Sequence, residues 1–264
     1  VRGGTARTGP PAVDCVRDAV VVEHHLAVEF GGARVGVLSC TPADLEDLVA
    51  GYLVGRGLLP PDRTPGEVGF ELGFDSDRRS ARVAAPGAAV RAREAAAAPA
   101  AADRDLRLEP ADLLRLAAFL QDAPLFRLTG GTHSAAVAPA SALRGDVGEA
   151  DDDRREAGPA ADGRALPVVL REDISRHSAL DKVVGHLWLT GRLRSGGPFV
   201  LATSGRVPLE VLERAVRAGF PVVVARGAPT LVAVETAERF GLTLVGFARD
   251  GRMNIYSGPE RVMV

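Results

Sequence analysis

Apolar and polar positions divide this chain into an opening run of extended segments and a longer series of strand–loop–helix units. VVEHHLAVEF and ARVGVL, between Val20 and Leu38, predict two extended segments about the turn Gly31-Gly32. A helix is predicted next, with Thr41 as cap, Pro42 in its first position and Asp44 at the third. Leu45, Leu48, Val49, Tyr52 and Leu53 share its apolar face, and Gly55 and Gly57 end it. Alternation from Val68 to Val83 predicts a hairpin about Asp75–Asp77. Ala84 to Ala102 is dominated by alanine with almost no large side chain, and reads as a weak helix or a linker. A helix from Pro110 to Leu120 and a strand at Phe126-Arg127-Leu128 lead into TGGTHS, and Ala135–Ala138 continues as strand. Residues 144–165, rich in Asp, Arg and Gly, read as a solvated loop.

Beyond this point the alternation is regular. Strand segments at Pro167–Leu170, Phe199–Ala202, Pro221–Val224 and Leu242–Gly246 each precede a polar loop, and Met253–Tyr256 supplies a closing strand. Helices are predicted from Ser178 to Leu189, from Pro208 to just before Gly219, and from Thr230 to Phe240. The fold class is therefore α/β, a mixed sheet covered by helices, with polar loops after the strand ends where such proteins bind ligands. The predicted organisation is a disordered leader over 1–14, a smaller N-terminal α+β part over 15–109 containing the alanine-rich loop 84–102, and a C-terminal α/β part over 110–264.

Composition narrows the classes. The chain has 264 residues, 46% of them hydrophobic and 25% charged, with a net charge of −2. That balance is globular and gives no electrostatic reason to expect nucleic acid. The opening VRGGTARTGPP lacks the apolar core of a signal peptide, and no apolar run is long enough for a membrane span. A cytoplasmic location, with no membrane partner, is the expectation. The two cysteines, Cys15 and Cys40, form no C-x-x-C pair, which argues against a disulfide framework or a cysteine zinc site. His133 and His177 lie in no HExxH pattern, so no metal site is signalled.

The candidate chemistry is anionic-ligand binding. Thr203, Ser204 and Gly205 sit at a strand–helix junction beside Arg206, and Ala228, Pro229 and Thr230 repeat the arrangement behind Arg226. Backbone N–H groups at such junctions and arginine guanidinium groups both suit phosphate. The competing reading is that Ser204 and Thr230 cap helices and the arginines are solvated. Arg249 and Arg252, after another strand, favour a shared site. His133, behind Gly130 and Gly131, is either an acid, base or donor, or a structural histidine tying down its turn. Glu172, Asp173, Arg176, His177, Asp181 and Lys182 cluster at a helix entrance. His177 and Asp181 are four apart and can share a face, while Arg176 can alternatively pair with Glu172 or Asp173. His24-His25 point to opposite faces of a strand and read as structural. Cys40 lies before the expected helix and is either a nucleophile or a buried structural thiol.

Taken together, these segments resemble the FdhD/NarQ family. CTPADLEDLVAGYLVGRGLL resembles the family's TP-x-DL-x-DLA-x-GFL-x-x-EG-I segment, and FRLTGGTHSAA its F-x-x-TGG-x-H-x-A loop. REDISRHSALDKVVG resembles REDVGRHNALDKVIG, with Ile174, Ser175 and Ser178 as departures. The segment from Ala202 to Val262 resembles the family's C-terminus almost throughout. The resemblance implies a cytoplasmic homodimer with a cytidine deaminase-like core that serves formate dehydrogenase maturation. Such proteins take sulfur from a cysteine desulfurase as a cysteine persulfide. They pass it to the bis(molybdopterin guanine dinucleotide) molybdenum cofactor, bound transiently, for the formate dehydrogenase apoprotein. The family's cofactor segment falls on Phe247, Ala248, Arg249, Asp250, Gly251 and Arg252. One departure bears on the chemistry: the family's C-G-x-C-G motif maps to AAPGAAVRAREAAAAPAAA, which has no cysteine. Persulfide transfer requires a thiolate. Two readings follow, a nominal sulfurtransferase or a catalytically inactive cofactor-binding or scaffold homologue.

Overall fold

Strand residues of alternating sidedness build two sheets, and helices cover the apolar faces. The computed structural model describes residues 16–88, 105–144, 157–158 and 166–263. The leader, most of the alanine-rich segment and most of the 144–165 stretch thus lie outside the described residues. The first sheet contains β1 (His24–Phe30), β2 (Ala33–Cys40), β3 (Glu71–Phe74) and β4 (Ser80–Ala84), ordered β2-β1-β4-β3. β1 pairs antiparallel with β2 and parallel with β4, and β3 and β4 form the expected hairpin. His24 Nε2 bonds the Arg78 carbonyl and His25 Nδ1 bonds Ser39 Oγ, both structural roles. Between these strands lie α1 (Leu45–Gly55) and the short α2 (Pro65–Val68), which takes Val68 out of the hairpin predicted for it.

The second part begins with α3 (Pro110–Phe119) and α4 (Pro124–Thr129), followed by β5 (His133–Pro139) and α5 (Ala140–Leu143). The segment Phe126-Arg127-Leu128 is helical, which corrects the expected strand. Three residues are too few for alternation to distinguish the two, and Pro124 at the first helical position starts α4. A two-strand ribbon, β6 (Ala157–Gly158) and β7 (Leu166–Pro167), precedes β8 (Val169–Asp173), α6 (Arg176–Leu189) and α7 (Arg192–Ser195). Then come β9 (Phe199–Thr203), α8 (Leu209–Arg217), β10 (Val222–Ala225), α9 (Leu231–Phe240), β11 (Thr243–Arg249) and β12 (Arg252–Ser257). The six-stranded sheet is mixed, ordered β12-β11-β10-β9-β5-β8. β9, β10 and β11 are parallel; β5 is antiparallel to both β9 and β8, and β12 to β11.

This sheet is apolar on both faces, as a helix-covered sheet must be. Ala135, Val137, Leu201, Val223 and Leu244 enter one core with α1, α6 and α8 residues and with Leu26 and Val28 of the first sheet. Ala136, Ala138, Val200, Val222, Val224 and Val245 face the other core, with Leu113, Leu116 and Ala117 of α3.

α1 and α6 cross at two glycines. A methyl group at Gly51 would overlap the Asp181 carbonyl, and one at Gly185 would overlap that of Asp47, so only glycine permits this approach. Beside the crossing, Lys182 and Asp173 are both 0% exposed, with Nζ 2.7 Å from Oδ2. Lys182 Nζ also donates to Thr41 Oγ1 at 2.7 Å and to the Glu172 carbonyl at 3.0 Å, and Asp173 Oδ2 accepts the Thr41 N–H at 3.0 Å. Thr41 therefore does not cap α1. Its hydrogen bonds join the N-terminal segment to β8 and α6, and Asp44, at φ 51°, stands at the N-cap without a side-chain capping bond, its carboxylate 3.8 Å from Arg171 Nε.

Candidate functional site

Strand directions decide where the polar loops lie. The C-terminal ends of β9, β10, β11 and β8 and the N-terminal end of β5 all open on one edge of the six-stranded sheet. Thr203 to Arg206, Arg226 to Thr230, Phe247 to Arg252, Gly130 to His133, and Arg176-His177 all follow or precede those ends. Strands are spaced roughly 4.8 Å apart, so the four steps from β11 to β8 span on the order of 20 Å. Sequence-distant candidates thereby share one elongated edge.

The loops pack backbone against backbone. A Cβ at Gly227 would lie 2.8 Å from the Gly205 carbonyl oxygen and 2.9 Å from the Arg206 nitrogen. One at Gly205 would lie 3.5 Å from Arg176 carbons and 3.6 Å from His133 Nδ1, which puts the imidazole and the guanidinium stem together beside the same glycine. Ser204 Oγ accepts the Ser134 N–H at 3.0 Å and stands 3.4 Å from His133 Nδ1.

Several expected roles change. Ser204 caps no helix, and its N–H is donated to the Ser134 carbonyl at 2.9 Å. The N–H groups of Thr230 and Phe247 are likewise engaged, by the carbonyls of Val207 and Gly227. Thr230 does cap α9, accepting the Ala233 N–H at 3.4 Å. His177 and Asp181 do not pair: Asp181 accepts from Arg214 Nε at 3.0 Å, because α8 brings that guanidinium across α6. Nε2 of His177 is buried without a hydrogen-bond partner. Neither does Arg176 pair with Glu172 or Asp173, whose oxygens are taken by amides, Thr132, Thr41 and Lys182.

Where a polar loop was expected, Phe247 to Arg249 continue β11, Asp250-Gly251 make a two-residue turn and Arg252 opens β12, with Ala248 buried in the second core. Phe247 and Asp250 adopt φ 54° and 55°, and the register shifts between Gly246 and Arg249. Non-glycine residues at such angles cost of order 1–3 kcal/mol and occur preferentially at functional sites. No sequence signal marks Phe247 for this conformation.

Electrostatically the edge is cationic. Arg176, Arg206, Arg226 and Arg252 have no carboxylate partner among the described residues, while Arg249 lies 3.9 Å from Asp250. Burial, then Arg176, holds the His133 imidazole below its ordinary range; burial, then Arg214 and Arg176, does the same for His177. Both rings are thus neutral near pH 7, able to donate from one nitrogen and accept at the other. Among the described residues no group of three or more His, Cys, Asp or Glu is placed to hold a metal ion. No helix among them is long and apolar enough to cross a membrane.

Comparison with known proteins decides the family. The FdhD/NarQ family model matches residues 21–149 and 159–263. The chain belongs to the FdhD/NarQ family. Among its relatives, a "Sulfur carrier protein FdhD" from Shouchella clausii is 30% identical over 94% of this chain and 91% of its own length. A protein of the same description from Thermoplasma acidophilum is 32% identical, covering 93% and 87%. The crystal structure of a proposed formate dehydrogenase accessory protein from Desulfotalea psychrophila superposes with a TM-score of 0.68 at 25% identity, covering 93% of this chain and 91% of that one.

Within the family this is a divergent member with two cysteines, neither of them in the segment of the C-G-x-C-G motif. Cys15 lies outside the described residues. Cys40, at the end of β2, is 0% exposed, and burial, then Asp173, pushes its thiol up to about 12. Of the departures, Ser175 is the N-cap of α6, and its Oγ accepts the backbone N–H of residue 178 at 3.4 Å.

Proposed function

We propose that this protein is a formate dehydrogenase accessory factor that binds the bis(molybdopterin guanine dinucleotide) molybdenum cofactor along the cationic sheet edge and does not itself carry sulfur. The observation that carries the binding half is the convergence of Arg176, Arg206, Arg226 and Arg252 on one edge without carboxylate partners among the described residues. A guanine dinucleotide is elongated and anionic, and arginine matches phosphate oxygens bidentately. The residues present fit such a cargo. Arg226 and Arg206 would hold phosphate, Ser204 and the neutral His133 would hydrogen-bond, and Phe247 would present its ring edge to a base.

The second half rests on thiol chemistry. Sulfur transfer through a persulfide needs an accessible thiolate, and Cys40, buried and pushed up to about 12, remains a thiol at neutral pH. In this reading no covalent step occurs on the chain. A separate thiol-bearing protein supplies the sulfur, and this protein orients the cofactor. The same reading includes a cysteine desulfurase and the formate dehydrogenase apoprotein as partners, a cytoplasmic homodimer, no nucleic acid, a cytidine deaminase-like core, and units spanning 15–109 and 110–264.

The test has two arms. Incubation with a cysteine desulfurase and labelled cysteine, followed by intact-mass analysis, is expected to show no sulfur adduct on the wild type. A transferable adduct on the wild type would overturn the non-carrier half, whether it disappears in Cys40→Ala or in Cys15→Ala. Calorimetric titration with GDP and with the complete cofactor is expected to show binding, and failure of both to bind would overturn the other half.

A further inference from the structure

We infer that Glu172 is the positioning residue that sets the shape of the Gly130–His133 side of the site. This rests on the anionic-ligand reading above. Arg171, Glu172 and Asp173 end β8, and alternation sends the middle side chain to the opposite face from its neighbours. Arg171 Nε donates to Asp47 at 2.9 Å and Asp173 binds Lys182, so both serve the α1–α6 side. Glu172, 8% exposed, turns instead to α4. Its Oε2 accepts the Leu125 N–H at 2.8 Å; its Oε1 accepts the Phe126 N–H at 2.7 Å and the Thr132 hydroxyl at 3.0 Å.

These bonds clip one segment at both ends. Leu125 and Phe126 follow Pro124 in the first turn of α4, whose N-cap Ala123 has no side chain able to satisfy them. A carboxylate from a strand more than forty residues later does so. Thr132 lies at the other end, immediately before His133. Between them, Thr129 Oγ1 donates to the Leu125 carbonyl at 2.7 Å and accepts the Gly131 N–H at 3.1 Å, and Gly130 turns the chain at φ 65°. The segment is therefore closed on itself and anchored to β8 through one carboxylate. That anchoring leaves Gly130 and Gly131 exposed and delivers His133 to Ser204. Both Glu172 oxygens are occupied and buried, so its charge is spent on shaping the loop and not on the ligand.

The experiment compares GDP affinity by calorimetry for the wild type, Glu172→Gln, Thr132→Val and Thr132→Ser, with melting curves for each. Glutamine keeps one acceptor oxygen and must turn its NH₂ toward a backbone N–H, donor against donor. Leaving buried donors unpaired in this way is expected to weaken GDP binding about tenfold. Thr132→Val should weaken it several-fold, while Thr132→Ser, which keeps the hydroxyl, stays within about twofold of wild type. Beyond the residues flanking the substitution in β8, amide NMR shifts in Glu172→Gln should be confined to 124–134. Wild-type affinity in both Glu172→Gln and Thr132→Val, or equal loss in Thr132→Val and Thr132→Ser, would overturn the inference. Should Glu172→Gln fail to fold, the threonine pair decides. If the wild type itself binds no GDP, the same comparison is made with the complete cofactor; if that fails to bind as well, the ligand reading fails instead, and the NMR shifts alone judge the role of Glu172.

Discussion

Two kinds of side chain behave at the residue scale according to how far water is removed from them. Cys40 has no solvent contact, and desolvation outweighs the lowering effect of Lys182. Iodoacetamide at pH 8 is therefore expected to leave native Cys40 unmodified and to alkylate it only after denaturation, as read by intact mass. His133 and His177 are held below their ordinary 6.5. Between that lowered value and 6.5 the unfolded chain binds more protons, so their contribution to stability is present above 6.5 and is lost as pH falls. His177→Gln should flatten the slope of unfolding free energy against pH below 6.5, measured in urea. Asp181 acts in the opposite sense. Burial pushes it up to about 6 against the pull of Arg214, so the native state binds the extra proton and stability from this group falls as pH rises from 3.8 toward 6. An anion beside His133 favours the imidazolium, so the ratio of GDP affinity at about pH 5.5 to that at about pH 7.5 should be smaller in His133→Gln than in the wild type.

At the element scale, the contact between α1 and α6 depends on two hydrogens where other residues carry a methyl group. Gly51 and Gly185 each face a backbone carbonyl of the opposite helix, and a backbone yields less readily than a side chain. Gly185→Ala is expected to destabilise the protein by about 3 kcal/mol, the upper end for overpacking, in urea unfolding. Lys182→Met removes the cation facing Asp173 and leaves a fully buried carboxylate with hydrogen bonds but no counter-charge. A loss of about 3–5 kcal/mol should follow. The hairpin between β11 and β12 obeys a different constraint. Its register shift between Gly246 and Arg249 puts Phe247 at the cationic edge while Ala248 stays in the core.

At the scale of the whole molecule, the first sheet and one face of the second share a single apolar core, in which Leu26 and Val28 meet the same cluster as Val137 and Leu201. Thr41, Asp47 and Tyr52 add polar ties within and across this region, to Asp173, Arg171 and the Val35 carbonyl. Such continuity predicts one cooperative transition. Fluorescence of the single tryptophan, Trp188, whose indole donates to the Pro60 carbonyl at 2.9 Å, should unfold in step with far-UV circular dichroism. Two separated midpoints would show that the parts over 15–109 and 110–264 unfold independently. The cationic edge also makes a molecular-scale prediction, since guanidinium groups at the surface are screened by salt: GDP affinity should fall as ionic strength rises.

The fold class was legible in the strand–loop–helix rhythm of the second half, because the two-residue strand period, the apolar helix faces and the turn glycines are local signals. The same rhythm placed Thr203–Arg206, Arg226–Thr230 and Arg249–Arg252 after strands, and the mixed sheet brought those ends to one edge. What the sequence could not give was partnership. Thr41 looked like a cap and is a tether; His177 looked like a partner for Asp181, which Arg214 occupies; Phe126–Leu128 looked extended and is helical. In each case the deciding contact comes from a residue distant in the chain, or depends on capping that short windows do not contain. The absence of a cysteine from the motif segment was visible in the sequence alone, because composition needs no fold. That Cys40 is buried and held as a thiol was decided only by the tertiary structure, because the pKa of a thiol is set by the burial and charges that folding places around it.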